Sequence, residues 1–185
     1  MLALAAWQRD DVHDAMRWFG DVTLIGPPLA PSALDRVMLS ARVASAGGDA
    51  GLRARVLQAT EALERERPAI PLLTGVAGYA RGILERDAAA LVAAAELLEP
   101  LSRPLLYAAA AEDAGTELAR SGRGGEAVDQ LNAAFDTYMH HEALADARRV
   151  AASCAGWVWS AASSASRGQK WALTVSPTPS SGWSI

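Results

Sequence analysis

The chain has 185 residues, of which 51% are hydrophobic and 21% are charged, enough for one globular domain with its own core. A net charge of −4 disfavours direct binding to DNA or RNA, because neutralising phosphates requires clustered lysine and arginine. The single cysteine, Cys154, excludes an internal disulfide, and no apolar run resembles a signal peptide or a membrane span, so a cytoplasmic protein is expected.

Helices are predicted along most of the chain. Apolar side chains recur at three- and four-residue spacing, for example Leu34, Val37, Met38 and Ala41, which is the period of an amphipathic helix. No stretch alternates apolar and polar residues as a strand does, so the sequence predicts an all-α fold. In chain order the predicted helices cover 2–9, 11–24, 32–46, 49–66, 69–85, 87–99, 103–121, 124–140 and 142–152.

Tight turns inside helical pairs are expected near Asp10, Gly48, Arg86 and Gly122, roughly 36–38 residues apart. This spacing predicts a repeat of antiparallel helical hairpins. The pattern after the last of these turns is that of the second helix of a tetratricopeptide repeat. There the small residues Ala127 and Ala134 let two helix backbones approach, and the larger Leu131 lies between them. The sequence therefore predicts a tetratricopeptide-like α-solenoid over residues 1–152.

The composition changes after residue 152. Residues 153–185 contain no aspartate or glutamate, and their only charged side chains are Arg167 and Lys170. Four of the six tryptophans and many serines lie in this stretch, and no helical or strand period is visible. A disordered tail outside the fold is therefore expected at 153–185.

Two motifs indicate a family. The stretch from Tyr79 to Ala152 contains the run YAAAAEDAGTELARSGRGGEAVDQLNAAFDTY at 107–138 and the sequence DARRV at 146–150. It resembles the C-terminal helical-repeat region of the large ATP-binding LuxR-type (MalT-like) transcriptional regulators, and the resemblance covers most of residues 1–152. In that family such repeats bind effectors or partner proteins and control a helix-turn-helix module. An ATPase module lies far upstream of the repeats. No GxxxxGK[ST] phosphate-binding loop occurs in this sequence, so neither ATP nor another cofactor is expected to bind.

The tail suggests a hypothesis about its origin. Back-translation of residues 152–162 with GC-rich codons, read one frame over, gives ELRRLGVERR, which resembles the family's linker before the helix-turn-helix. We therefore expect a truncated regulator, in which a frameshift near 150–152 replaced the DNA-binding module with out-of-frame translation. The genomic DNA at these codons tests the hypothesis.

The residues that could carry chemistry do not form a recognisable site, so no catalytic, cofactor-binding or metal-binding residue is predicted and the chain is not expected to be an enzyme. His140 and His141 are adjacent and cannot share a helical face, which favours a structural or capping role.

Cys154 is expected to be an inert thiol. Glu112, Asp113 and Glu117 are interpreted as surface residues rather than an acid/base pair. The charge run is interpreted as a solvated helix end; it comprises Glu61, Glu64, Arg65, Glu66 and Arg67.

Trp7, Trp18, Phe19 and Tyr138 have two readings, core packing or a ligand groove on the inner face of the array. The expected function is a non-catalytic sensing or interaction module, a fragment of a LuxR-type regulator that lacks the ATPase and DNA-binding domains. The alternative is a freestanding tetratricopeptide-like adaptor. A protein partner or small-molecule effector is expected on the inner face, with no membrane, no direct DNA contact, and self-association through uncapped ends.

Overall fold

The fold is all-α. A computed structural model describes residues 2–20, 22–26, 29–66 and 68–161. Within these ranges it contains nine helices and no β-strand, which confirms the predicted class. In chain order the helices are α1 (Leu2–Gln8), α2 (Val12–Arg17), α3 (Pro31–Gly47), α4 (Ala50–Arg65), α5 (Pro71–Glu85), α6 (Ala88–Leu98), α7 (Pro104–Arg120), α8 (Gly124–His140) and α9 (Leu144–Ala161).

Helix starts follow local side-chain chemistry. The Asp49 carboxylate accepts the N–H of Leu52 at 2.6 Å, and Asp87 accepts the N–H groups of Ala89 and Ala90 at 2.9 and 3.1 Å. Each cap satisfies backbone donors that have no partner inside the helix. Three other helices begin with proline, which has no N–H to satisfy and whose φ is already helical. These prolines are Pro31, Pro71 and Pro104.

The four predicted turns all lie where the backbone enters the left-handed region. The φ angles are 62° at Asp10, 67° at Gly48, 56° at Arg86 and 82° at Gly122, which confirms the turn positions. A fifth such residue, Glu142 with φ 57°, separates α8 from α9. Glycine adopts this conformation without a steric penalty, whereas a residue with a Cβ adopts it at a cost in free energy.

The two helices of a hairpin run antiparallel and lie very close together. On α5, Gly75 faces Leu98 near the end of α6, and Gly82 faces Leu91 near its start. On α7, a Cβ added to Gly115 would lie 2.7 Å from Cγ of Leu131 and 3.0 Å from the carbonyl oxygen of Ala127 on α8. The small residues therefore allow the short distance between the paired helices, as expected at 127, although the glycines themselves were not predicted.

Packing follows the order of the chain. Each helix contacts the next, and α3 also contacts α5. The buried residues form a large core cluster that extends from Ala6 to Cys154, with a small second cluster between α7 and α8. No helix among the described residues is long and apolar enough to cross a membrane.

Two helix boundaries differ from the predicted ones by more than two residues. The predicted helix 11–24 ends at Arg17, because Gly20 and the β-branched Val22 and Thr23 that follow disfavour a helix. At the other end α9 continues to Ala161, beyond the predicted end at 152, and Cys154 on it is buried in the core. The remainder of the predicted tail, 162–185, lies outside the described residues.

Candidate functional site

A groove of about 920 Å³ lies on one side of the helices and is lined by residues from α1, α3, α5, α7, α8 and α9 and from the segment that follows α2. The four aromatic residues with two predicted readings all line it. Phe19 and Tyr138 are each 3% exposed and also belong to the core, whereas Trp18 is 46% exposed. Phe19 and Tyr138 therefore pack in the core and also line the groove, whereas Trp18 is an exposed part of the groove wall.

Arg42 of α3 lies at the base of the groove and is almost fully buried. Its Nε donates to the Tyr79 hydroxyl at 2.9 Å and to Oδ2 of Asp113 at 2.6 Å. Its Nη2 donates to the carbonyl oxygen of Ala109 and to Oε2 of Glu112, both at 3.0 Å. Tyr79 in turn donates to Asp113 at 2.5 Å, so one arginine joins α3, α5 and α7.

Arg149 of α9 approaches the same acidic pair from the other side. Its Nε and Nη2 each donate to one oxygen of Glu112 at 2.7 Å, a bidentate geometry that arginine and carboxylate favour. The Tyr138 hydroxyl donates to Glu112 at 3.0 Å, and Arg149 also pairs with Asp146 at 2.7 Å. We call the following residues the charge cluster: Arg42, Tyr79, Glu112, Asp113, Tyr138 and Arg149.

The spacing of the helix turns along the chain explains how these residues meet. Arg42 and Tyr79 are 37 residues apart, Tyr79 and Asp113 are 34 apart, and Glu112 and Arg149 are 37 apart. Each separation is close to the distance between successive hairpin turns. Successive hairpins therefore present these side chains on the same side of the packed helices.

Burial and neighbouring charges shift the pKa values in opposite directions for the two acids. Burial by itself would raise the pKa of Glu112, but Arg42 and Arg149 outweigh it and the pKa is lowered. Burial raises the pKa of Asp113, Arg42 opposes this, and the adjacent charge of Glu112 adds to the increase. Burial also raises the pKa of both tyrosines, which therefore remain neutral hydrogen-bond donors.

The surface interpretation of the three acidic residues on α7 is wrong for all of them. Glu112 is only 6% exposed, and the Asp113 side chain is 19% exposed. The third, Glu117, is also mostly covered and pairs with Arg120. One signal could have identified Glu112 from sequence: it lies four residues after Ala108 and three before Gly115, inside the apolar stripe of the helix.

The other predicted residues lie away from the groove. The ring centroids of His140 and His141 lie 4.9 Å apart in an edge-to-face arrangement where α8 ends. Burial raises the pKa of the Cys154 thiol, which supports an inert cysteine. The charge run is exposed as predicted where it is described, with Arg65 paired to Glu61 and Arg81 paired to Glu64. No group of three metal-ligating side chains exists within the described ranges.

Two polar hydrogens at the groove have no hydrogen-bond acceptor. Nε1 of Trp7 and Nε of Arg36 are both buried atoms without a partner in the described part of the chain, and both residues line the groove. Trp7 was a candidate from sequence, whereas Arg36 was not. Nothing in the sequence around Arg36 distinguishes it from the other arginines of the chain.

The chain was compared with models of protein families, with curated proteins and with solved structures, and none of these comparisons found a match.

Proposed function

We propose that this chain is a non-catalytic sensing module built from tetratricopeptide-like helical repeats, with its effector in the groove. The observation that carries the proposal is the groove itself. Its volume of about 920 Å³ lies within the usual range of small-molecule sites, and aromatic and aliphatic side chains form most of its wall. The buried donors of Trp7 and Arg36 supply the few polar groups that orient a ligand in such a site.

The charge cluster offers a route from the groove to α9. Tyr138 and Asp146 line the groove, and they also bond to Glu112 and Arg149, respectively. An occupant that contacts either residue competes with those bonds and changes how Arg149 holds α9. A ligand alters the position of a helix only when it binds one arrangement better than the other, and this shared set of bonds supplies the difference.

The resemblance to LuxR-type regulators gives this route a role. In that family the repeats control a DNA-binding module, and the motifs at 107–138 and 146–150 belong to the repeats. The proposal assigns to these 185 residues the detection of the effector in the cytoplasm and not the reading of DNA. A gel-shift assay with duplex DNA is expected to show no sequence-specific binding, and tight specific binding would contradict the assignment.

The chemistry of the cluster supports a role without catalysis. Both oxygens of Glu112 and one oxygen of Asp113 accept hydrogen bonds from arginine or tyrosine. A general base requires an acceptor that is free to reach a substrate proton, and these acceptors are already engaged. The cluster therefore fits a structural connection between helices.

A freestanding adaptor that binds a peptide segment is the second candidate. Exposed apolar side chains surround the groove, which is typical of a surface that docks a protein partner. These residues are Leu2, Leu4, Trp18 and Leu105, each between 40% and 57% exposed. The two candidates use the same groove and differ in the size of the occupant.

One experiment tests both candidates. A panel of small metabolites and a panel of peptides are screened for an increase in the melting temperature of the full chain, because a ligand of the folded state stabilises it. Ala109→Phe places a large ring in the groove, and Ala89→Phe is the matched change at an exposed site of α6 outside it. Compounds that bind the groove are expected to stabilise the wild type and Ala89→Phe but not Ala109→Phe.

The outcomes separate the candidates. Stabilisation by metabolites supports a sensing module, and stabilisation by peptides alone supports an adaptor. Compounds that stabilise all three proteins equally bind elsewhere and contradict both. Far-ultraviolet circular dichroism confirms that each variant remains folded before it is screened.

A further inference from the structure

The groove is neutral overall, but its charges are not all paired. Two acids line it, Asp35 and Asp146. Asp35 pairs with Arg103 at 2.8 Å, and Asp146 pairs with Arg149 at 2.7 Å. Both carboxylates therefore already have a cation, and neither requires one from an occupant of the groove.

The two arginines that line the groove differ in the same respect. Arg42 is held by Glu112 and Asp113 at 3.0 and 2.6 Å. Arg36 forms no ion pair among the described residues, and its Nε is buried without an acceptor. Arg36 is therefore the arginine of the groove whose charge no acid among the described residues neutralises.

A second donor lies in the same groove. The indole Nε1 of Trp7 is buried and has no acceptor in the described part of the chain. A buried N–H without an acceptor costs free energy, and an occupant that supplies an oxygen removes this cost. Indole and guanidinium groups donate only, so the occupant must accept.

The remainder of the wall is apolar. Phe19, Leu39, Leu105 and Leu106 line the groove together with Trp18. Surface of this kind gains more free energy by covering an apolar body than by covering a compact polar metabolite. The two parts of the groove therefore suit two different parts of one molecule.

We infer, on the basis of the proposed function, that the effector is a small amphiphile with an apolar body and an oxyanion head, most simply a carboxylate. The head accepts from Arg36 Nε and Trp7 Nε1, and the body lies against the aromatic and aliphatic wall. A carboxylate matches the planar guanidinium group better than a neutral acceptor does, because charge-assisted hydrogen bonds are shorter and stronger.

Calorimetric titration of the full chain with decanoate, below its micelle concentration, tests the inference. Decanoate is expected to bind at one site, and Arg36→Gln is expected to weaken its binding about tenfold or more, the effect of losing a charged hydrogen bond. Trp7→Phe is expected to weaken binding severalfold. Arg148→Gln removes the same charge from an exposed site of α9 outside the groove and serves as the matched control with no expected change.

Two further probes separate the head group from the body. Methyl decanoate keeps the chain without the charge, and decyltrimethylammonium reverses the charge. The ester is expected to bind more weakly than decanoate and to respond little to Arg36→Gln, and the ammonium compound is expected to bind weakest. If all three bind equally, or if Arg36→Gln affects none of them, the assigned head group is wrong while the groove remains a binding site.

Two further outcomes separate a failure of this inference from a failure of the proposed function. If Ala109→Phe leaves decanoate binding unchanged, the amphiphile does not occupy the groove, and the inference is overturned. If no amphiphile binds but other compounds in the stability screen require an open groove, the inference fails and the sensing module stands.

Discussion

Two stretches of this chain each contain three acidic residues, yet these acids have opposite environments in the fold. On α7, Glu112 is 6% exposed and is bound by arginines from α3 and α9. Near the end of α4, the side chains of Glu61 and Arg65 are 56% and 71% exposed and pair with each other. The difference shows that the position of a charge relative to the apolar stripe decides its role, more than the presence of nearby opposite charges.

The energies of the two stretches differ for the same reason. A buried carboxylate has lost its hydrating water. Its stability in the charged form therefore depends on every arginine and tyrosine that donates a hydrogen bond in place of that water. An exposed pair keeps its water and loses little when one partner is removed. Identical substitutions should therefore have very different effects at the two sites.

The largest expected effect is that of Glu112→Gln. Removal of this charge leaves Arg42 with Asp113 alone and Arg149 with Asp146 alone, and breaking a buried pair of this kind costs about 3–5 kcal/mol. The same change at Glu61 removes an exposed pair with four-residue spacing, worth about 0.3–0.5 kcal/mol. Urea unfolding of the full chain measures both. Equal losses at the two sites would break the contrast.

The pH dependence of the two neighbouring acids sharpens the contrast. Burial opposes ionisation of Glu112, but Arg42 and Arg149 prevail and hold its pKa below the ordinary 4.5. Its stabilising effect is therefore complete above pH 4.5 and is lost as the pH falls through the lower value in the folded chain. The destabilisation caused by Glu112→Gln should accordingly shrink as the pH falls below 4.5.

Asp113 should show the opposite slope. Burial, with the charge of Glu112, raises its pKa above the ordinary 3.8, so the folded chain takes up a proton at a higher pH than the unfolded chain. The stability of the wild type relative to Asp113→Asn should therefore increase as the pH falls toward 3.8. Urea unfolding across this acidic range gives both slopes. Parallel profiles for the two variants would contradict the assigned directions.

Alanine substitutions at a buried and at an open glycine should also differ in their effect on stability, but by less. A Cβ at Gly115 would lie 2.7 Å from Leu131 and 3.0 Å from a backbone oxygen of α8. We expect Gly115→Ala to cost about 1–3 kcal/mol, which outweighs the better helix propensity of alanine. Gly125 in the first turn of α8 meets no atom within 4 Å, and Gly125→Ala should be neutral or mildly stabilising. A stable Gly115→Ala variant would show that α7 and α8 can separate.

The sequence predicts the helices and their turns well because both depend on local chemistry. Glycine at 48 and 122, the aspartate caps at 49 and 87, and the three- and four-residue apolar spacing all act within a few residues. The early end of α2 was missed because the aromatic Trp18 and Phe19 continue the apolar pattern past the last helical residue. The continuation of α9 was missed because the composition changes at 153 while the helix does not end.

The groove was predicted only in part, because its chemistry depends on distant residues. The sequence predicted the four aromatic residues either as core or as the wall of a ligand groove on the inner face, and all four line the groove. The charge cluster unites residues about one hairpin apart, and no single window of the sequence contains both Arg42 and its two acids. Arg36 differs from the other described arginines in having a buried Nε without an acceptor, a property of three-dimensional packing that no residue pattern expresses.

The smallest expected effect compares two turns of similar shape. Arg86 and Gly48 both end a helix in the left-handed region, with φ of 56° and 67°. A side chain there costs about 1–2 kcal/mol, and glycine loses about 0.5–1 kcal/mol of chain entropy on folding. Arg86→Gly should therefore stabilise the chain by about 0.5–1 kcal/mol, and Gly48→Ala should destabilise it by a similar amount. Thermal unfolding measures both changes. If both have the same sign, the strain at Arg86 is relieved by its surroundings, and the two turns are not equivalent.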